Sequence, residues 1–522
     1  MATGTDMGMA SKRAAKRRSL RALLPWGLVC LSPLALAQAA DDAAAAGPKP
    51  SVSVVPRVSV SETWTDNVSL NSAKQADQVT EITPGLRVDV NKARLKGSLD
   101  YALTASNYAQ STSPGRTTNA LTSNFTLEAV DNTFFIDASG TINQQTISAF
   151  GTQSVSNSSV NPNSTEVSTY RVSPYVQGNL AGLANYLGRV SRTVTLGGTT
   201  GNVATNDASF GLKGGNVRGG LGWSADLTHQ DVSYSAGRST DNDSAMLGLS
   251  YALTPQLSVS AEAGSESNNY TSLDRQTNSV TGFGIAWTPS ETTKLSVSGR
   301  HHAYGDTYQA SFDRRTSRTV WHVADTKDVT QTPNQQGVTT VGTAYDLYYA
   351  QFATLEPDPV ARAILVNAFL QSFGIPPGAL VGMGFTASSL SMQRRQEASF
   401  GLLGVRDTVT FIATQSESNR FDSLTTAVDD FSTASVVRQA GQSVNWAHRL
   451  TPNYSLSVLL SQVATSGSLN AQSSTVRTVN VSLTGKVGLR SNATLGFRHS
   501  ESDGSLTSYT ETAVTGTLQL QF

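Results

Sequence analysis

The chain ends Val514-Thr-Gly-Thr-Leu518-Gln-Leu520-Gln-Phe522. Val514, Leu518, Leu520 and Phe522 share one parity, and Thr515, Thr517, Gln519 and Gln521 share the other. Successive side chains of a strand point to opposite faces, so this segment reads as a strand with one oily side and one wet side. A terminal aromatic closing such a strand has the form of the assembly signal that bacterial outer-membrane barrels carry. The expectation is an all-β chain closed into a transmembrane antiparallel β-barrel.

The same alternation recurs upstream, in Leu295-Ser-Val297-Ser and in Val479-Asn-Val481-Ser-Leu483-Thr. One turn is repeated. Tyr251 leads through Thr254-Pro255 to Leu257-Ser-Val259, Trp287 through Thr288-Pro289 to Leu295-Ser-Val297, and Trp446 through Thr451-Pro452 to Leu456-Ser-Val458. Proline presets its backbone angle and gives no ladder hydrogen bond, so these are rim turns, with their aromatics in the periplasmic girdle. Tight turns near Asn91, Asp131, Gly182, Gly215, Pro255, Pro289, Gly404, Pro452 and Arg490 imply about 20–22 strands, depending on the side from which one insertion leaves. A soluble β-sandwich also alternates. It explains neither the terminal Phe522 nor long Ser/Asn/Gly loops such as Gly151–Ser164 set against tight turns.

The insertion, about 331–384, carries the one helix the pattern supports. Asp358 is its N-cap, Pro359 opens it, and Gly374 and Pro376 end it. Val366, Phe369, Leu370 and Phe373 form its apolar stripe. That stripe either packs on or inside the barrel or presents a docking helix to a periplasmic partner.

Residues 1–37 read as a secretory signal peptide. Lys12, Arg13, Lys16, Arg17, Arg18 and Arg21 form its basic region, Leu23–Leu36 its short apolar core, and Ala35-Leu-Ala37 a cleavage site. A periplasmic linker over 38–51 and the barrel over 52–522 follow. The single cysteine, Cys30, lies in the leader, so no disulfide framework is expected. The chain has 38 Lys and Arg against 38 Asp and Glu; without the leader's six cations and one anion, 32 stand against 37, a net −5. That is no nucleic-acid footprint. With 38% hydrophobic and only 15% charged residues, serine and threonine fill the difference, as a barrel with a wet lumen requires.

Further motifs run through the chain in order. They are Ser59-Val-Ser-Glu62-Thr-Trp64-Thr-Asp66-Asn67-Val-Ser-Leu70, Thr80-Glu-Ile-Thr-Pro84-Gly85-Leu, and Ala93-Arg-Leu-Lys-Gly-Ser-Leu-Asp100-Tyr101. Phe134-Phe-Ile-Asp137-Ala, Arg318-Thr-Val-Trp321, Asp358-Pro359 with Arg362, and Gly404-Val-Arg406-Asp407-Thr-Val-Thr follow. Together they resemble the PEP-CTERM system-associated outer-membrane protein family, over about Val52–Phe522. The resemblance implies an outer-membrane barrel of bacteria that run exosortase sorting and make extracellular polysaccharide. It implies no catalytic residues. Arg406-Asp407 departs from the family's Arg-Asn.

No pattern in the chain calls for enzyme chemistry, a metal or a cofactor. His301 and His302 are adjacent, so on a strand they face opposite ways and cannot share a zinc ion. Counting parity from Leu295 and Val297 sends Arg300 toward the lumen, counting from Trp321 and Val323 sends Arg314 and Arg318 there, and Arg395 joins them if Ala398, Phe400 and Leu402 face lipid. They form either part of an ordinary polar lining or a basic wall for an acidic polysaccharide. Expected partners are outer-membrane lipid, the barrel-assembly machinery, and exopolysaccharide or its export apparatus. A non-conducting structural barrel and an outer-membrane hydrolase are the alternatives.

Overall fold

The structure, a computed structural model, describes residues 51–522 except 111, 199–200, 218–219, 236, most of 331–383, 388–389, 422–428 and 469–471. The leader and most of the linker lie outside the described residues.

The alternating segments form twenty-two strands. The first eight are β1 (Val52–Thr65), β2 (Asp77–Asn91), β3 (Leu95–Tyr108), β4 (Arg116–Val130), β5 (Phe134–Thr146), β6 (Ser164–Leu180), β7 (Ala184–Leu196) and β8 (Asn202–Val217). Next come β9 (Leu221–Tyr234), β10 (Thr240–Thr254), β11 (Leu257–Asn268), β12 (Gln276–Ser290), β13 (Thr293–His302), β14 (Gly305–Arg315) and β15 (Thr319–Val329). The rest are β16 (Ser391–Leu403), β17 (Asp407–Arg420), β18 (Val436–Arg449), β19 (Tyr454–Gly467), β20 (Ser473–Gly488), β21 (Ser491–Gly504) and β22 (Tyr509–Gln521). Each pairs antiparallel with its sequence neighbours, and β1 pairs with both β2 and β22, so the sheet closes on itself. The seam sets Val60 opposite Leu518 and Trp64 opposite Val514. One short helix, α1 (Asp430–Thr433), lies between β17 and β18.

The end that holds the start of β1 and the end of β22 carries ten turns of two to four residues. Short turns mark the periplasmic side of such a barrel, and longer loops mark the outside. Nine of the ten turns carry the glycine, proline, asparagine, aspartate or arginine cues read from the sequence. The tenth, Thr316–Arg318, has none of the glycine or proline that usually punctuates a chain, which is why the sequence tally falls short with an external insertion. Its Thr316 hydroxyl accepts from the amides of Arg318 (3.3 Å) and Thr319 (2.9 Å). Thr254 and Thr451 do the same in two of the Thr-Pro turns, accepting from Gln256 and Leu257 and from Asn453 and Tyr454. The threonine hydroxyl, a local substitute for a backbone acceptor, is the shared device. The insertion therefore leaves between β15 and β16 on the extracellular side.

Register fixes the faces. Residues directly opposite one another share a side. Val514, Leu518, Leu520 and Phe522 all point outward, with Phe522 64% exposed, while Gln519 and Gln521 point inward. Leu247, Leu249 and Tyr251 on β10, Phe283, Ile285 and Trp287 on β12, and Val444 and Trp446 on β18 continue the exposed belt. Tyr251, Trp287 and Trp446 stand at its periplasmic edge. Nearer the extracellular end the outward parity turns polar. Asp325–Arg394 (2.7 Å), Glu417–Arg438 (2.9 Å), Arg477–Glu501 (3.7 Å) and His301–Asp306 (2.6 Å) form outward-facing pairs. Charges like these are excluded from hydrocarbon, so the outer leaflet ends below them and the strands stand proud of it.

Candidate functional site in the lumen

Twenty-two strands spaced about 4.8 Å apart and tilted about 40° enclose a ring roughly 44 Å across. A ring that wide is not filled by wall side chains, so its contents decide what it does. The wall contributes two kinds of lining. One is hydroxyl rows: Ser61 with Thr517 (2.9 Å), Thr63 with Thr515 (3.0 Å), Thr169 with Thr195 (3.2 Å) and Thr484 with Thr494 (3.1 Å). The other is charge, much of it held in pairs of opposite sign. Arg57 donates to Asp100 (2.9 Å) across Gly85, Arg87 pairs with Asp89 (2.8 Å), and Arg189 binds Asp137 (2.9 Å) while lying over the Tyr175 ring. Arg498 grips Glu511 with two nitrogens, while His302 hydrogen-bonds Glu266 (2.8 Å) and His322 hydrogen-bonds Asp313 (2.8 Å), contacts that become ion pairs only when the imidazole is protonated.

Gly85 makes the first of these possible. A Cβ there would stand 2.9 Å from Arg57 Nε and 3.0 Å from the Tyr101 carbonyl. Gly85→Val is expected to displace the Arg57 guanidinium and to lower stability by about 1–3 kcal/mol, read as a lower urea midpoint for the refolded barrel.

The four arginines read as a basic wall are not brought together. Arg300 faces the lumen but is held by Glu262 (2.9 Å). Arg314 lies opposite the outward-facing Trp321, so it too points away from the lumen. Arg318 sits in the periplasmic turn between β14 and β15. Arg395 faces inward, donating to Gln393 (2.8 Å). Arg300 and Arg395 face inward as their strands' parity implies; Arg314 and Arg318 do not, because the chain reverses at Thr316–Arg318 and parity counted through a turn does not carry over. His301 and His302 do face opposite ways, one outward with Asp306 and one inward with Glu266.

Of the apolar stripe in the insertion, Val366 is described, helical and fully buried. Phe369, Leu370 and Phe373 lie outside the described residues. Tyr348, also helical and 1% exposed, was not singled out by the sequence pattern. Its hydroxyl meets Thr410 Oγ1 at 3.0 Å. Thr410 is on the inward face of β17, opposite Gly401 and Asn445, only three residues from the periplasmic start of that strand. Tyr345 stacks on Tyr349 (5.7 Å), and the Arg362 guanidinium lies 4.8 Å over the Tyr349 ring. A segment that enters from outside thus reaches deep into the ring at Tyr348.

A closed antiparallel sheet with an unbroken apolar belt and a polar interior leaves no backbone edge for lipid to meet. The chain is an outer-membrane β-barrel protein. Residues 193–343, less than a third of its length, match the model of a family described only as a protein of unknown function, DUF481. No curated protein matches. Among solved structures it is similar to the FrpB iron transporter of Neisseria meningitidis in its F5-1 variant apoprotein form, at 10% identity, covering 90% of this chain and 81% of that one, with a TM-score of 0.48. It is also similar to the siderophore receptor PirA from Pseudomonas aeruginosa at 9% identity, covering 90% and 80%, with a TM-score of 0.42. The PirA of Acinetobacter baumannii gives 10% identity, the same coverage and a TM-score of 0.43.

Proposed function

We propose that this barrel is a passage or scaffold for extracellular polysaccharide in a PEP-CTERM/exosortase setting, delivered by its leader and folded by the barrel-assembly machinery. The supporting observation is the lining. Hydroxyl rows and self-neutralised ion pairs offer a sugar polymer many weak, exchangeable hydrogen bonds and no strong electrostatic trap. A basic wall would bind an acidic polymer tightly; the pairing of Arg300 with Glu262 argues for a lumen that lets either kind slide. The polysaccharide export apparatus is the partner this reading requires. No hydrolytic step is part of it.

Planar-bilayer recording tests it. The refolded barrel is expected to show conductance steps with an anion-to-cation permeability ratio within about twofold of one. Soluble exopolysaccharide added to one side is expected to block those steps. Ion passage that the polymer never affects rejects the polysaccharide reading. The second reading, a structural barrel, draws on Tyr348 standing in the lumen, and predicts no conductance under any condition.

A further inference from the structure

The loop between β5 and β6, residues 147–163, does not stay above its own strands. Its base is cinched by Ile147 N to Asn163 O (3.0 Å) and Asn163 Nδ2 to Ser148 O (2.9 Å). From there it runs inward. Val160 N donates to Val68 O (2.8 Å), the Tyr108 hydroxyl to Ser158 O (3.3 Å), and the Tyr509 hydroxyl to Gln153 O. These contacts reach the tops of β1, β3 and β22.

Its root makes a second set of contacts, with a segment from across the ring. Ser148 Oγ donates to Asp430 Oδ1 (2.7 Å) and Ala149 N to Asp430 Oδ2 (2.6 Å). Ala149 and Phe150 pack with Phe385, Ala387, Phe431, Ala434 and Val437 in one buried cluster, with Phe385 and Phe431 rings 5.9 Å apart. Asp430 and Phe431 belong to α1, between β17 and β18. β5 and β6 stand about half the ring away from β17 and β18 in strand order, and Ser148 and Ala149 lie two and three residues past Thr146, so the root of the loop and α1 meet over the mouth, each rooted in the opposite wall.

The fastening is small and contains a half-buried carboxylate. Burial raises the pKa of Asp430 above the ordinary carboxylate range, the two hydrogen bonds offset part of that, and the neighbouring Asp429 charge adds to it. Taking a carboxylate out of water costs free energy that is recovered when the group is wetted again. An all-apolar junction would hold more firmly. We infer that the 147–163 loop is a releasable cover over the extracellular mouth, latched to the opposite wall by Asp430 and Phe431. Its use as a gate rests on the passage reading, but the cover itself can be tested without any conductance.

The test uses the full-length barrel in a Cys30→Ser background with Ser502→Cys as reporter. Ser502 faces inward, is 3% exposed, and sits opposite Tyr509, whose hydroxyl holds the cover. Labelling by a membrane-impermeant maleimide added outside is expected to be slow, and to accelerate at least about tenfold in the Asp430→Ala/Phe431→Ala variant. Ser148→Ala, which removes one latch bond and leaves every strand contact in place, is expected to give a smaller rise in the same direction, and guards against misfolding of the double variant. Heat-modifiable gel mobility checks that each barrel is closed. Labelling at one rate in all three proteins, fast or slow, overturns the cover. Accelerated labelling without any conductance in the unlatched variant leaves the cover standing and rejects the passage instead.

Discussion

Leu518→Arg is expected to destabilise the refolded barrel by roughly 2–4 kcal/mol, whereas Gln519→Arg changes it little. The two positions are adjacent on β22 and differ only in face. Leu518 is 45% exposed, opposite Val60 on β1 and Ala493 on β21, in the middle of the apolar belt. An arginine there meets hydrocarbon, too far from either interface for its head to escape fully. Gln519 points into the lumen, where an added guanidinium stays solvated among hydroxyls and amides. Equilibrium urea titration in lipid vesicles, at matched lipid thickness, measures both. Equal losses at the two positions mean that the faces are not separated as the register has them.

Glu511→Ala is expected to cost about 3–5 kcal/mol, because it strands a buried guanidinium. Arg498 donates to Glu511 through Nε (3.0 Å) and an η-nitrogen (2.8 Å), and Thr65 adds a third hydrogen bond (3.0 Å). The two side chains are only 12% and 1% exposed. Replacing both partners, as in Glu511→Leu/Arg498→Met, removes the unpaired charge and is expected to restore a large part of the loss. The double-mutant cycle reads the coupling directly. A double variant as unstable as Glu511→Ala alone shows that packing, not charge pairing, governs this site.

What the sequence makes legible is whatever a period of two can carry. Leu518 and Gln519 declare their faces because one side of the wall is hydrocarbon and the other is wet, and nothing between strands can reverse that. The Thr-Pro turns are legible because proline interrupts a ladder. Thr316–Arg318 is not, because a lone hydroxyl closes it, and a hydroxyl is what most positions of this chain already hold. Missing that one turn put Arg314 on the wrong side. The lumen's charge balance is harder still. Arg57 meets Asp100 only because Gly85 leaves the space between them, and that pairing skips a strand. The cover's contacts cross half the ring, beyond any local pattern. A weak signal did exist: Phe150 and Phe431 are large aromatics inside polar loops, and such residues usually have something to pack against.

The ring has a beginning and an end that touch. Ser61 and Thr517 share a hydrogen bond across 456 positions of chain. Until β22 is in place, β1 and β21 each present a bare row of amides and carbonyls, which hydrocarbon cannot solvate. The strand that joins β21 to β1 is therefore the keystone. Every earlier strand must wait as an open, shielded ribbon, and loss of the final thirteen residues of strand would leave a sheet with two raw margins instead of a shortened pore.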